Sequence, residues 1–321
     1  MKISFIIVSW NVCELLERCL RSIGATSYEV PHEVIVVDND SQDGSADMVA
    51  RMFPQVKLFR NKENRGFAAA CNQGISAGSG SYIFFINPDA ELDSHALTRM
   101  IAYMDAHPDV GICAPQIRNA DGSIQRSIQR FPTPLSQLGV LFKIRKIAPW
   151  FLRRYYADDF EYGRDEQDVE QPDGAALFVR RSALRKIGVF DEQFFLWFDE
   201  VDLCRRMRNA GFRIVYLNRA RVIHQAGKSF AQKGFLEKQQ IFFTSCARYL
   251  KKHCGFPGFL AALIMHSAIG FFALLDAKRF IFFAPIPQPA SSVISPLSRH
   301  NKHLFLYALF LIIASELLSL A

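Results

Sequence analysis

This 321-residue chain lacks several features, and each absence narrows what it can be. Its seven cysteines (Cys13, Cys19, Cys71, Cys113, Cys204, Cys246 and Cys254) include no Cys-x-x-Cys pair, so buried, reduced thiols of a cytoplasmic protein are the expectation. The formal charge is +7, but Lys and Arg are scattered or sit beside apolar segments instead of forming a stripe. That pattern argues against nucleic acid and for anionic lipid or phosphate partners. Only Met1-Lys2 precedes the first apolar run, and that run is too short for the h-region of a signal peptide. No internal repeat is visible, and no glycine- and lysine-rich triphosphate loop stands near the N-terminus, which argues against nucleotidyl transfer.

What is present is an alternation. Ile3 to Ser9 reads as a buried strand, and Cys13 to Ile23 as a helix with Leu15, Leu16, Cys19, Leu20 and Ile23 on one face. A second strand, Glu33 to Val37, ends at Asp38. A helix to about Phe53, a short strand Val56 to Phe59 and a glycine-flanked helix, Gly66 to Ala77, follow. Next comes Tyr82-Ile83-Phe84-Phe85-Ile86-Asn87-Pro88-Asp89, an apolar run that ends by presenting a carboxylate. Pro88 forces Asn87 out of helical geometry and makes the turn rigid. This order predicts an α/β fold with a doubly wound, mostly parallel sheet, in which Asp38 and Asp89 share one edge. In open sheets of this kind ligands sit at that edge.

Further on, a helix is expected from Ser94 to His107 with Asp93 or Ser94 as cap, then a strand Val110 to Ile117 and a hairpin turn at Asn119-Ala120-Asp121-Gly122. Phe131 to Glu170 reads as irregular, basic and aromatic first and acidic after, which suits a mobile flap or a solvated loop. Asp173-Gly174-Ala175 leads into another strand, Arg180 to Ile187 is a short helix, and Leu203 to Ala210 is a helix preceded by Asp199-Glu200-Val201-Asp202. Arg213 to Leu217 is a strand, and His224 follows Val222-Ile223 in the same strand-end position as Asp38 and Asp89. The domain division is expected at 1–230 and 231–321. The second part holds apolar stretches at 258–277 and 304–321, flanked by Lys251, Lys252, Lys278, Arg279, Arg299 and Lys302, and is expected to be helical and membrane-associated.

Asp89 and His224, with Asn87 beside them, make a mixed oxygen and nitrogen site suited to Mn²⁺ or Mg²⁺, which would neutralise a diphosphate leaving group. The acidic tetrad has a plain explanation, since carboxylates are favoured at a helix start and Asp202 can pair with Arg206 one turn on. That does not account for the wall of Phe194, Phe195, Leu196, Trp197 and Phe198 leading into it, which would set a carboxylate at an apolar rim where a general base belongs.

Phe5-Ile6-Ile7-Val8-Ser9-Trp10-Asn11, Val36-Val37-Asp38-Asn39-Asp40-Ser41, Asn64-Arg65-Gly66-Phe67, Asn87-Pro88-Asp89, Asp173-Gly174-Ala175 and Phe198-Asp199-Glu200-Val201-Asp202-Leu203 occur in the order and spacing of family 2 inverting glycosyltransferases. Over residues 1 to 230 the chain resembles their bacterial rhamnosyltransferase-like branch, which builds cell-surface polysaccharide. The resemblance implies a GT-A fold and a nucleotide-diphosphate sugar donor, dTDP-rhamnose or a UDP-hexose. It places Asp38 on the base with Ser9, Trp10, Asn11 and Arg65 nearby, Asn87 and Asp89 on the donor, and Asp89 and His224 on the metal. Asn87 stands where many members have the first Asp of an Asp-x-Asp motif, so His224 becomes the metal's second ligand. Members usually carry Glu-Asp where this chain has Asp199-Glu200; position assigns the base to Glu200 and leaves Asp199 open. Gly174, Trp197 and Asp202 are expected on the acceptor side. The acceptor is expected to be a glycan or polyprenyl-linked hydroxyl at the cytoplasmic face of the inner membrane. A non-catalytic sugar-nucleotide-binding or membrane scaffold protein on the same fold and a sugar nucleotidyltransferase are the alternatives.

Overall fold

Strand β1 (Ile3–Ser9) is apolar in both of its side-chain registers, and this places it inside the sheet with both faces covered. The computed structural model describes residues 3–26, 30–225, 232 and 234–274, and the chain divides after Gly234 into two units. In the first unit β1 is followed by α1 (Cys13–Thr26), β2 (His32–Asp38), α2 (Ser45–Met52), β3 (Lys57–Arg60), α3 (Phe67–Ala77), β4 (Tyr82–Ile86), β5 (Ala90–Leu92) and α4 (Ala96–Ala106). Then come β6 (Val110–Arg118), β7 (Ile128–Gln129), α5 (Pro134–Leu141), β8 (Glu166–Asp168), β9 (Gln171–Pro172), β10 (Ala176–Arg180), α6 (Arg181–Ile187), α7 (Asp199–Asn209) and β11 (Arg213–His224).

One sheet runs in the order β3-β2-β1-β4-β10-β6-β11-β5, with β8 also on β11. β1 pairs in parallel with β2 and β4, and β11 with β6. The sheet is mixed, however: β10 runs antiparallel between β4 and β6, and β5 and β8 run antiparallel to β11. The reversal of β10 has a direct consequence for the site. Its entry end, carrying Asp173-Gly174-Ala175, lies at the same edge as the exits of β2, β4 and β11. Residue alternation along the strands divides the core in two. Phe5 and Ile7 of β1 face a layer with Leu16, Leu20, Val49, Leu97 and Met100, whereas Ile6 faces Ala70, Ile75, Leu184, Leu203 and Met207. Helices α1, α2 and α4 therefore cover one face and α3, α6 and α7 the other.

Several local expectations change. Helix α4 starts at Ala96 with no side-chain cap; Asp93 accepts the Ala96 N–H through its backbone carbonyl instead. The stretch 131–170 is more ordered than its composition implies. Pro134 opens α5 behind a capping box in which Thr133 and Ser136 exchange hydrogen bonds, and two 3-10 turns, Ile144–Lys146 and Pro149–Leu152, follow. Helix α7 begins at Asp199, four residues before the expected Leu203, and β11 continues to His224 across a register shift between Leu217 and Arg221. In the second unit α8 (Phe235–His253) packs on α9 (Gly255–Leu274). Among the described residues no helix is long and apolar enough to cross a membrane. The apolar stretch at 258–277 forms α9 as far as Leu274, and the stretch at 304–321 lies outside the described residues.

Candidate active site

The exits of β1 and β2 build the first wall of the site. Asp38 closes β2 opposite Ser9, and the Asn39 N–H donates to the Ser9 carbonyl at 2.9 Å. One Asp38 oxygen accepts from the Ser41 N–H at 2.9 Å, which folds the chain back over the strand end. Asn11, at φ 52°, donates its N–H to Ser41 Oγ and accepts from the Gln42 N–H, tying the β1 and β2 exits together. Asn39 links this turn to the next wall, donating to the Gly66 carbonyl at 3.0 Å. Trp10 is half-buried here and Arg65 is exposed beside Gly66. Gly66 sits at φ 83°, and a Cβ there would meet the Phe195 carbonyl at 2.5 Å, so only glycine admits the aromatic loop 190–198 this close.

At the β4 exit, the Asn87 N–H donates to the Ala175 carbonyl, and Asp89 is 6% exposed. His224, also 6% exposed, closes β11 with its Nε2 3.2 Å from Asp89 Oδ1, at ion-pair distance but without hydrogen-bond alignment. Its Nδ1 lies 3.1 Å from Gln125 Oε1, while Nε2 faces the carboxylate. Burial lowers the His224 pKa, but the adjacent Asp89, with Asp173 behind it, outweighs that and leaves it raised. Among the described residues no three His, Cys, Asp or Glu side chains gather around one point. The pair nevertheless fits the expected Mn²⁺ or Mg²⁺. A carboxylate and an imidazole this close at a buried strand end are the donor types such ions take, and these ions are held by one or two protein ligands plus substrate phosphates. The second-ligand orientation supplied by Gln125 is the common arrangement for a metal-binding histidine.

The third wall is the start of α7. Trp197 and Phe198 both hold left-handed backbone angles, φ 61° and 62°, a conformation that costs bulky residues roughly 1–2 kcal/mol each. The strain lies directly before Asp199 and Glu200 and turns both carboxylates into the site. Asp199 is buried, and that burial pushes its pKa up to about 6. Glu200 is half-buried; burial first, and then the charges of Asp199 and Asp173, hold it well above the ordinary range. The two share a hydrogen bond and titrate together. Gly174 lies against Glu200, since a Cβ there would sit 3.4 Å from its Cγ. The charge of Asp173, at the β10 entry, adds to the upward shift of both Glu200 and His224.

Asp202, expected on the acceptor side, is held inside the fold. Its side chain is 0% exposed and bonded at 2.8 Å to Arg206, whose other nitrogens take the Ile187, Gly188 and Val189 carbonyls. The pair fixes α7 against the end of α6. Asp202→Ala is expected to lower stability by about 3 kcal/mol in chemical denaturation, the lower end for a broken buried pair because Arg206 keeps its carbonyls. The acceptor KM should stay unchanged. Two members of the site have no strong signal in the sequence: Gln125, which orients His224 from a turn 99 residues away, and Asp173, whose Asp-Gly-Ala context marks it only once the direction of β10 is known.

The sequence matches the Glycosyl transferase family 2 profile over residues 4–188. Across 228 residues it is 29% identical to the N-acetylglucosaminyl-diphospho-decaprenol L-rhamnosyltransferase of Mycobacterium tuberculosis, covering 67% of this chain and 73% of that one. It is 32% identical over 221 residues to the poly-β-1,6-N-acetyl-D-glucosamine synthase of Staphylococcus aureus, covering 67% of this chain and 47% of that longer protein. Solved structures with the same fold include the Pyrobaculum calidifontis mannosyltransferase PcManGT in complex with GDP-Man and Mn²⁺, with TM-score 0.53, 18% identity, and coverage of 83% of this chain and 69% of that one. S. aureus TarS residues 1–349 in complex with UDP-GlcNAc matches with TM-score 0.54, 15% identity, and coverage of 87% and 77%. The fold is thus that of the GT-A glycosyltransferases. The chain belongs to glycosyl transferase family 2.

Proposed function

We propose that the protein is an inverting glycosyltransferase that moves a sugar from a nucleotide-diphosphate donor, dTDP-rhamnose or a UDP-hexose, to a hydroxyl of a lipid-linked glycan. One observation carries this reading. Buried side-chain atoms are almost always hydrogen-bonded, yet Ser9 Oγ and Asp38 Oδ2, at the adjoining exits of β1 and β2, are both buried without a partner. Two unpaired polar atoms side by side at this sheet edge suit a site that completes its hydrogen bonds with a ligand.

In the proposed reaction Asp38 and Ser9 hold the base and sugar of the nucleoside, and Asp89 with His224 hold a divalent cation. Such an ion, when bound, neutralises charge on the departing diphosphate. Glu200 takes the proton of the acceptor hydroxyl as that oxygen's lone pair forms the new bond to the anomeric carbon. The bond from that carbon to the phosphate oxygen breaks on the opposite face, and its electron pair leaves with the nucleoside diphosphate. A carboxylate whose pKa is raised towards the working pH is the stronger base for this step. Family membership sets the scaffold alternative aside. The diphospho-decaprenol acceptor in the name of the M. tuberculosis relative supports an acceptor of that class and action at a membrane.

The kcat/KM profile should fall on the acid side through a pKa well above the ordinary Glu value of about 4.3, because protonation removes the base. Asp199→Asn should move that limb down by deleting the like charge; a limb already near 4.3 in the unmodified enzyme would remove Glu200 from the role. The function is tested by incubating the protein with single nucleotide sugars, Mn²⁺ and a polyprenyl-diphosphate N-acetylhexosamine. One donor should release nucleoside diphosphate in step with sugar transfer. Release of pyrophosphate, or of nothing across the donor series, contradicts the reading.

A further inference from the structure

Beside the ribbon formed by β7 and β9 lies a cavity of about 520 Å³ lined by Arg130, Arg153, Arg154, Asp159 and Glu170. Its charge is not balanced internally. Glu170 is already engaged, 3.7 Å from Arg130 and accepting the Phe131 N–H at 2.7 Å, whereas the Arg153 and Arg154 guanidiniums are exposed and take part in none of the hydrogen bonds or ion pairs of the described residues. Paired guanidiniums in a concave site match phosphate oxygens in geometry and charge. The surroundings add an apolar component. Trp150 and Ile147, 71% and 62% exposed, belong to the turns that lead into Arg153, and Trp150 and Arg153 fall on one face because positions three apart eclipse on a 3-10 turn.

The cavity is coupled to the proposed base by a short, stiff connection. Gln129 pairs with Gln171 and Ile128 with Pro172, so Arg130 and Glu170 flank the far end of a ribbon whose near end is Asp173-Gly174, against Glu200. From Glu170 to Asp173 is three residues, about 10 Å of extended chain. A second tie is the Arg205 guanidinium on α7, which covers the Phe131 ring at 4.9 Å.

We propose that the cavity of Arg130, Arg153 and Arg154 is an acceptor subsite that binds the diphosphate of a prenyl-diphosphate-linked sugar, with the prenyl chain leaving along Trp150 and Ile147. It rests on the transfer reaction proposed above and adds the part of the acceptor that is read. A diphosphate held there lies at the opposite end of the ribbon from Gly174 and Glu200, and the donor nucleotide occupies the separate wall built by Asp38 and Asp89.

Two measurements test it. The first titrates the protein with farnesyl diphosphate, inorganic diphosphate and UDP. Farnesyl diphosphate should bind more tightly than inorganic diphosphate, and Arg153→Ala/Arg154→Ala should weaken it about tenfold per arginine, the worth of a charged hydrogen bond, while UDP binding in the presence of Mn²⁺ stays unchanged. The second compares acceptors under donor saturation. The double variant should raise KM for a prenyl-diphosphate N-acetylhexosamine and leave transfer to the corresponding alkyl glycoside unaltered. Unchanged farnesyl diphosphate affinity in the variant, or equal affinity for inorganic diphosphate, overturns the subsite. Absence of transfer to any acceptor by the unmodified protein, with farnesyl diphosphate binding still lost in the variant, overturns the reaction and leaves the subsite standing.

Discussion

Glu200→Gln is expected to lower kcat by about 10²- to 10⁴-fold, the usual contribution of a positioned proton acceptor, without weakening nucleotide binding. The amide keeps the shape of the carboxylate and can donate to Asp199, so the start of α7 and its strained Trp197-Phe198 entry stay in place. What it loses is the ability to accept a proton. Asp199 is the competing candidate, but it is buried at 2% exposure whereas Glu200 reaches solvent beside Gly174. Single-turnover kinetics with saturating donor separates the two. A near-normal rate in Glu200→Gln combined with a lost rate in Asp199→Asn would transfer the role to Asp199.

His224→Ala is expected to abolish the tightening of nucleoside diphosphate binding by Mn²⁺, a loss of at least about tenfold in affinity on the scale seen when even an outer partner of a metal ligand is removed. The reason lies in the count of ligands. Asn87 occupies a position that supplies no carboxylate, so Asp89 and His224 are the pair available, and neither alone would hold an ion against water. Calorimetric titration of UDP with and without Mn²⁺ reads the effect directly. Equal Mn²⁺ dependence in the variant and the parent would show that the ion is held elsewhere.

The parts of this site that could be read in the sequence share one property: they are carboxylates or imidazoles at the ends of apolar strands. Asp38, Asp89 and His224 were placed by that rule, and parallel strands bring such ends to one edge whatever the side-chain packing. The aromatic run before the acidic tetrad marks it as more than an ordinary helix start, but only the resemblance to the family singles out Glu200 over Asp199. The direction of β10 was not legible, since alternation of apolar residues is the same in either direction, and with it went the meaning of Asp173. Gln125 was invisible for a related reason: a lone amide in a polar turn acquires its role only through a contact across 99 residues. The pairing of Asp202 with Arg206 is readable from their spacing of one helical turn, and the structure forms it at 2.8 Å. Helix α5 was passed over because its apolar residues lack helical periodicity, although Thr133-Pro134 is a sound start signal.

A single displacement at the anomeric carbon with Glu200 as base fixes the configuration of the product. Transfer from one defined donor anomer should be followed by proton NMR of the anomeric signal in the first product formed. The unmodified enzyme should give the anomeric configuration opposite to that of the donor, with the signal absent in Glu200→Gln. A product that retains the donor's configuration would require a second displacement and would contradict the role assigned to Glu200.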